Sequence, residues 1–227
     1  MKLLLLGSLL ISAPTFAQQS LTLANLKQYM TTKKDTLESF RVGMTKQQIT
    51  TASVELENAA KCDYRITSTQ SILKVEGDKL IILAKEQFAP AATPACQAAG
   101  YRAFEESVLY YEAKPSLAQD LADLDESASA IKQIVKAGDL VTLNLVITDT
   151  DPETNTTFND NVTIKYDFSK SSFSNLILTQ GNGYSISSQE LADVNPASVD
   201  LRNVLFCDNN DEDRSDCMQG DFSDILF

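Results

Sequence analysis

The stretch Pro115-Ser116-Leu117-Ala118-Gln119-Asp120-Leu121-Ala122-Asp123-Leu124-Asp125-Glu126-Ser127-Ala128-Ser129-Ala130-Ile131-Lys132-Gln133-Ile134-Val135-Lys136-Ala137-Gly138 decides how the chain is read. Leu117, Leu121, Leu124, Ala128, Ile131 and Val135 step by four, three, four, three and four residues, the period of one helix face. Asp120, Asp123, Asp125 and Glu126 come early and Lys132 and Lys136 late, as the helix dipole favours. Gly138 stands where a C-cap belongs. The spacing predicts one amphipathic helix of about six turns across residues 115–138. Its stripe lacks clear flanking charge pairs, so packing on a sheet is expected rather than a coiled coil.

On the N-terminal side, Leu23, Leu26 and Met30 predict a first helix, and Leu37 and Phe40 extend its apolar stripe to Val42-Gly43. Thr45 with Gln48 three residues on is a capping-box pattern; it predicts a second helix carrying Ile49, Ala52, Leu56 and Ala59 on one face. Alternation at Tyr64, Ile66 and Ser68, then Ile72 to Val75, leads through Glu76-Gly77-Asp78-Lys79 into Leu80-Ile81-Ile82-Leu83-Ala84, a hairpin. Tyr101, Phe104, Val108 and Tyr111 favour a further helix, with a strand through Ser107–Tyr111 as the alternative.

Beyond Gly138 the period becomes two. Val141, Leu143, Leu145 and Ile147 form the apolar face of one strand, and Val162, Ile164, Tyr166 and Phe168 alternate on the way back. Leu176 to Leu178 and Tyr184 to Ile186 flank the turn Gly181-Asn182-Gly183. The expected fold is therefore α+β: a helical N-terminal half with a β-hairpin over residues 18–114, the long central amphipathic helix over 115–138, and an acidic antiparallel β half over 139–227.

The 227 residues include 19 Lys+Arg and 31 Asp+Glu, for a net charge of −12, with 43% apolar residues. That apolar content is too high for a disordered chain, and the acidic balance argues against a nucleic-acid partner. The chain has no His and no Trp. Catalysis by Ser-His-Asp or Cys-His sets and His-ligated metal are thus closed to it. Charge is unevenly placed: residues 18–114 carry 12 basic and 11 acidic side chains, residues 115–227 carry 6 and 20.

Met1-Lys2, the apolar run Leu3–Ile11 and the ending Thr15-Phe16-Ala17 have the build of a signal peptide over residues 1–17, cut after Ala17. No later segment is long and apolar enough to span a bilayer. An exported protein, periplasmic or secreted and bacterial in style, is expected. Cys62, Cys96, Cys207 and Cys217 then read as two disulfides; four cysteines allow three pairings, of which Cys62–Cys96 with Cys207–Cys217 is the most local in sequence.

Between Cys207 and Cys217 runs an acidic loop in which Asp208, Asn210, Asp211 and Asp213 are the candidate ligands for Ca2+, a cation that takes oxygen donors. The glycine and terminal glutamate of an EF-hand are missing from it. Two Ser-x-x-Lys spacings, Ser71 with Lys74 and Ser129 with Lys132, are the patterns from which a Ser-Lys hydrolase would be built. The function expected from these features is a non-catalytic, soluble binding or interaction module whose acidic surface meets a basic protein partner or cations. A Ca2+-stabilised envelope or adhesion-type structural protein, and an exported hydrolase using carboxylates or Ser-Lys, are the alternatives.

Overall fold

A computed structural model describes residues 17–56, 60–150, 156–207 and 217–222. In chain order the elements are β1 (Gln19–Ser20), α1 (Leu23–Thr32), α2 (Lys34–Leu37), β2 (Thr45–Glu55), β3 (Lys61–Glu76), β4 (Lys79–Pro90), α3 (Pro94–Ala98), β5 (Phe104–Ala113) and α4 (Leu117–Glu126). They continue with β6 (Ile131–Ala137), β7 (Leu140–Thr150), β8 (Thr157–Asp167), β9 (Leu176–Gly181), β10 (Tyr184–Leu191), a 3-10 turn (Pro196–Ser198), β11 (Arg202–Cys207) and β12 (Met218–Asp221). All twelve strands join one sheet in the order β1-β6-β7-β8-β9-β10-β2-β3-β4-β5-β11-β12.

The protein is mostly β, and the expectation of a helical N-terminal half with a long central helix is overturned. The helix predicted over residues 115–138 stops at Glu126, and Ile131–Ala137 is strand β6. Ile131 faces Leu145 and Ile134 faces Leu143, with a register shift between Ile131 and Gln133. Ile131 and Ile134 therefore share the core face across a bulge, while Val135, the last residue of the predicted stripe, pairs with Thr142 on the opposite face. Ser127, Ala128 and Ser129 form the turn, with the Ala130 and Ile131 amides both donating to the Ser127 carbonyl.

The helix read from Thr45 and Gln48 is strand β2, paired on both sides along its length. Its Thr, Ile and Val side chains suit a pleated surface better than a helix. Phe104–Ala113 is likewise strand β5, pairing β4 from Phe88↔Phe104 to Lys79↔Ala113. Leu23–Thr32 is helical, capped by Thr22, whose side chain accepts from the Asn25 amide.

The register identifies the two faces of the sheet. Ile164, Thr179, Ile186, Thr50, Ile66 and Phe88 are successive partners across six strands and so lie in one row on one face, here the inner face. The inner face of β6–β8 is covered by the helices: Leu26, Met30, Leu37 and Leu117 pack on Ile134, Val141, Leu143 and Val162. Farther along the same face a second core gathers Met44, Ile72, Ile82, Val108, Tyr110 and Phe173. A third, on the outer face, gathers Ile81, Leu83, Leu109, Leu201 and Val204. Lys46 on β2 and Glu112 on β5 stand three strands apart on the inner face. Burial pushes Lys46 down and Glu112 up, and each partner's charge opposes that shift.

Two disulfides join Cys62 to Cys96 and Cys207 to Cys217, with Cα separations of 5.1 and 4.6 Å. The first ties α3 to β3, and the second ties the end of β11 to Cys217 beside β12. They fit a chain that folds in an oxidising compartment. Among the described residues no helix is long and apolar enough to cross a membrane. The signal-peptide reading of residues 1–17 falls, except for Ala17, outside the described residues.

Gly43 opens β2 at φ +93°, its amide donating to the Ile72 carbonyl and its own carbonyl accepting from Val194. A Cβ there would meet the Val194 carbonyl oxygen at 2.6 Å. At Gly183, also at positive φ, a Cβ meets nothing within 4 Å. Gly43→Ala is expected to cost about 3 kcal/mol or more in urea unfolding, backbone strain plus a clash, whereas Gly183→Ala should cost about 1 kcal/mol from strain alone. Equal losses at the two sites would contradict the role of the Gly43–Val194 approach.

Candidate functional site

Helix α4 has two working faces. Pro115 and Ser116 start it, the Ser116 hydroxyl accepting from the Gln119 amide, while Glu38 Oε1 accepts from the Leu117 amide at 3.1 Å and pins the helix to the end of α2. Leu117 and Leu121 pack into the core with α1. Asp120, Asp123, Leu124 and Ser127, at helical spacing, turn instead toward a cavity of about 320 Å³ between α1, α4 and the inner face of the sheet.

Leu26 and Met30 of α1, Ile131, Leu143 and Leu145 of β6 and β7, and Ile164 of β8 supply its apolar walls. Tyr166 and Phe168 stack nearly parallel, with centroids 5.6 Å apart, and both line it. The segment after β8 closes one side with Ser172 and Asn175. This segment is held in place by the Ser172 amide donating to the Leu37 carbonyl at 2.9 Å and the Asp167 amide donating to the Asn175 carbonyl at 2.8 Å.

Asp120, Asp123, Tyr166 and Ser172 are close enough to act on one another. The Ser172 hydroxyl donates to Asp120 Oδ2 at 3.3 Å, and Gln119 Nε2 donates to Asp123 Oδ1 at 2.6 Å. Burial pushes the Asp120 carboxyl above the usual range; the Ser172 bond opposes this, and the nearby charges of Asp123 and Glu38 add to it. Burial also raises the Tyr166 phenol, with the charges of Asp120 and Asp123 acting the same way. Tyr166 therefore remains a neutral hydroxyl beside two carboxylates. No Lys or Arg is among the described residues that line the cavity.

Asp208, Asn210, Asp211 and Asp213 fall outside the described residues. Among the described residues, no three His, Cys, Asp or Glu side chains gather closely enough to hold a metal ion. Ser71 is buried in β3 and its hydroxyl lies 3.0 Å from that of Thr45. Lys132 Nζ donates to the backbone carbonyl of Ser129 at 3.0 Å. A second, more open depression lies on the outer face over β2–β5, with a wholly polar lining that includes Thr69, Lys85, Glu105 and Ser107.

The chain matches no protein-family model, no curated protein and no solved structure.

Asp120 bears a testable cost. A carboxyl whose pKa is raised by folding is neutral in both states at low pH and costs nothing there. The cost begins as pH rises above the unfolded pKa and is complete above the folded one. Asp120→Asn removes it while keeping an acceptor for Ser172. Thermal melting at pH 7 should show a rise of about 1–2 °C that disappears as pH falls through the ordinary aspartate range. A lower melting temperature at pH 7 would show that Asp120 stabilises the fold instead.

Proposed function

We propose that the protein is an exported, non-catalytic binding protein that holds an apolar small molecule in the cavity between α1, α4 and the sheet. The observation that carries this reading is the cavity itself: about 320 Å³, walled by Leu, Ile, Met and aromatic side chains, with Asp120, Asp123, Tyr166 and Ser172 close enough to act on one another. Ligand sites are concave, mostly apolar and supplied with a few converging polar groups. The Ser-x-x-Lys spacings have no comparable support, since Ser71 lies 3.0 Å from the Thr45 hydroxyl and Lys132 donates to the Ser129 main chain.

The inner face beyond the helices supports the same reading. Phe104, Ile147 and Phe158 are about half exposed there. Phe104 stacks on Phe88 at 5.3 Å, and Phe88 packs against Tyr64 and Tyr101. An apolar molecule reaching out of the cavity would meet a surface that continues to favour it, and each buried methylene contributes about 0.8 kcal/mol.

Nile red, a neutral dye that brightens in apolar surroundings, tests the proposal. The purified protein with disulfides intact should bind it saturably and with unit stoichiometry. Leu124→Phe and Ile164→Phe each place a ring in the cavity and should weaken binding about fivefold or more, while retaining the native circular dichroism spectrum. Dye binding that is absent, or equal in the protein and both variants, would remove the cavity as the site.

A further inference from the structure

The electrostatics of the cavity say what the ligand carries at its polar end. Asp120 and Asp123 approach from consecutive positions on one face of α4, and the Glu38 carboxylate is close enough to act on Asp120. Lys34 lies 3.9 Å from Glu38 and is exposed. The described lining holds two carboxylates, the Ser127, Tyr166 and Ser172 hydroxyls, the Asn175 amide and no cationic side chain. Asn175 is only 6% exposed, so its amide belongs to the wall of the cavity rather than to the solvent-facing surface.

An anionic head group would face two like charges, Asp120 half-buried and Asp123 exposed at the rim, which is unfavourable. A neutral one would leave the two carboxylates without a counter-charge. An ammonium would accept none of these costs. It is a donor only, and every polar group of the lining has an oxygen that accepts: both carboxylates, the hydroxyls and the amide oxygen.

We infer that the cavity selects a cationic amphiphile, an alkyl chain with an ammonium head held by Asp120 and Asp123. The inference rests on the cavity reading above and names the class of its ligand. The chain lies among Leu26, Met30, Leu143, Leu145 and Ile164, and the head lies at the Asp120–Asp123–Ser172 end. This also distinguishes the site from a metal site: two carboxylates beside hydrophobic walls are too few hard donors for Ca2+, which takes six to eight, but suffice for a single organic cation.

Three ligands of equal chain length separate the outcomes: decylammonium, decanol and decanoate, each displacing Nile red below its micelle concentration at physiological salt. Decylammonium is expected to bind about tenfold more tightly than decanol, with decanoate weakest. In the Asp120→Asn, Asp123→Asn double variant the ammonium advantage should vanish while decanol binding persists. Both substitutions keep side-chain size, and decanol binding is itself the check that the cavity remains intact. Equal affinity for decylammonium and decanol, or tightest binding of decanoate, would overturn the head-group inference and leave the cavity reading standing. An ammonium preference that survives in the double variant would assign it to the overall acidic field and overturn the inference too. Displacement by none of the three would overturn both.

Discussion

The architecture depends on the ladder between β10 and β2. Eight registered pairs, from Tyr184↔Ala52 to Leu191↔Thr45, bring the last long strand of the C-terminal meander back against the first long strand of the chain. Without this ladder the strands would form two separate groups, β1 with β6–β10 and β2–β5 with β11 and β12, and β10 and β2 would each become an open edge. With it, one inner face runs from the helices to the aromatic group around Phe88. Such non-local pairing carries a loop-closure cost, and the residues flanking it secure it at both ends. At one end the Ser53 amide donates to the Gly183 carbonyl at 3.1 Å; at the other Gly43 bonds through its main chain to Ile72 and Val194, and Arg41 is ion-paired with Asp193.

That closure also positions the segment between β8 and β9. Phe168 belongs to the core under the helices, and Phe173 belongs to the core over β2–β5, where Lys46 Nζ sits 4.5 Å from its ring centroid. Ser171 and Ser174 are buried between them, and among the described residues their hydroxyls have no hydrogen-bond partner. A buried unpaired hydroxyl costs about 1–3 kcal/mol, so this short segment is held by its two phenylalanines rather than by its polar groups. Its Ser172 is thereby delivered to Asp120, which makes the cavity wall a consequence of how the two cores are bridged.

The sequence was legible where a single period had one meaning. The hairpin around Glu76-Gly77-Asp78-Lys79, the alternation from Leu140 and the turn at Gly181-Asn182-Gly183 correspond to β3–β4, β7 and β9–β10. Reading failed where apolar residues in strands fall at helical spacing. Ile131 and Val135 stood four apart in the predicted stripe yet face opposite sides of β6, and β2 carries Ile49 and Ala52 at a spacing that suggested a helix although its Thr and Val content favours a strand. The cavity was less legible still. Asp120 and Asp123 were visible as acids suited to a helix start, and their shared face with Leu124 and Ser127 was the available signal. Nothing local in the sequence connects them to Tyr166, Ser172 or Ile164, because that proximity is made by strand order and by the bridge from Phe168 to Phe173.

The two faces of α4 explain why stability and binding pull in opposite directions here. Leu117 and Leu121 stabilise the fold by packing, whereas Asp120 is partly desolvated, near like charges, and costs stability once ionised. A helix start has no need of that arrangement: an exposed carboxylate would interact with the helix dipole equally well. A carboxylate placed in an apolar wall is instead a group whose unfavourable energy falls when a cation arrives, so part of the stability lost in the empty protein becomes differential affinity for a charged ligand. Hydrophobic walls alone would hold any apolar molecule of the right size. The acids beside them turn a general apolar cavity into one that discriminates by charge.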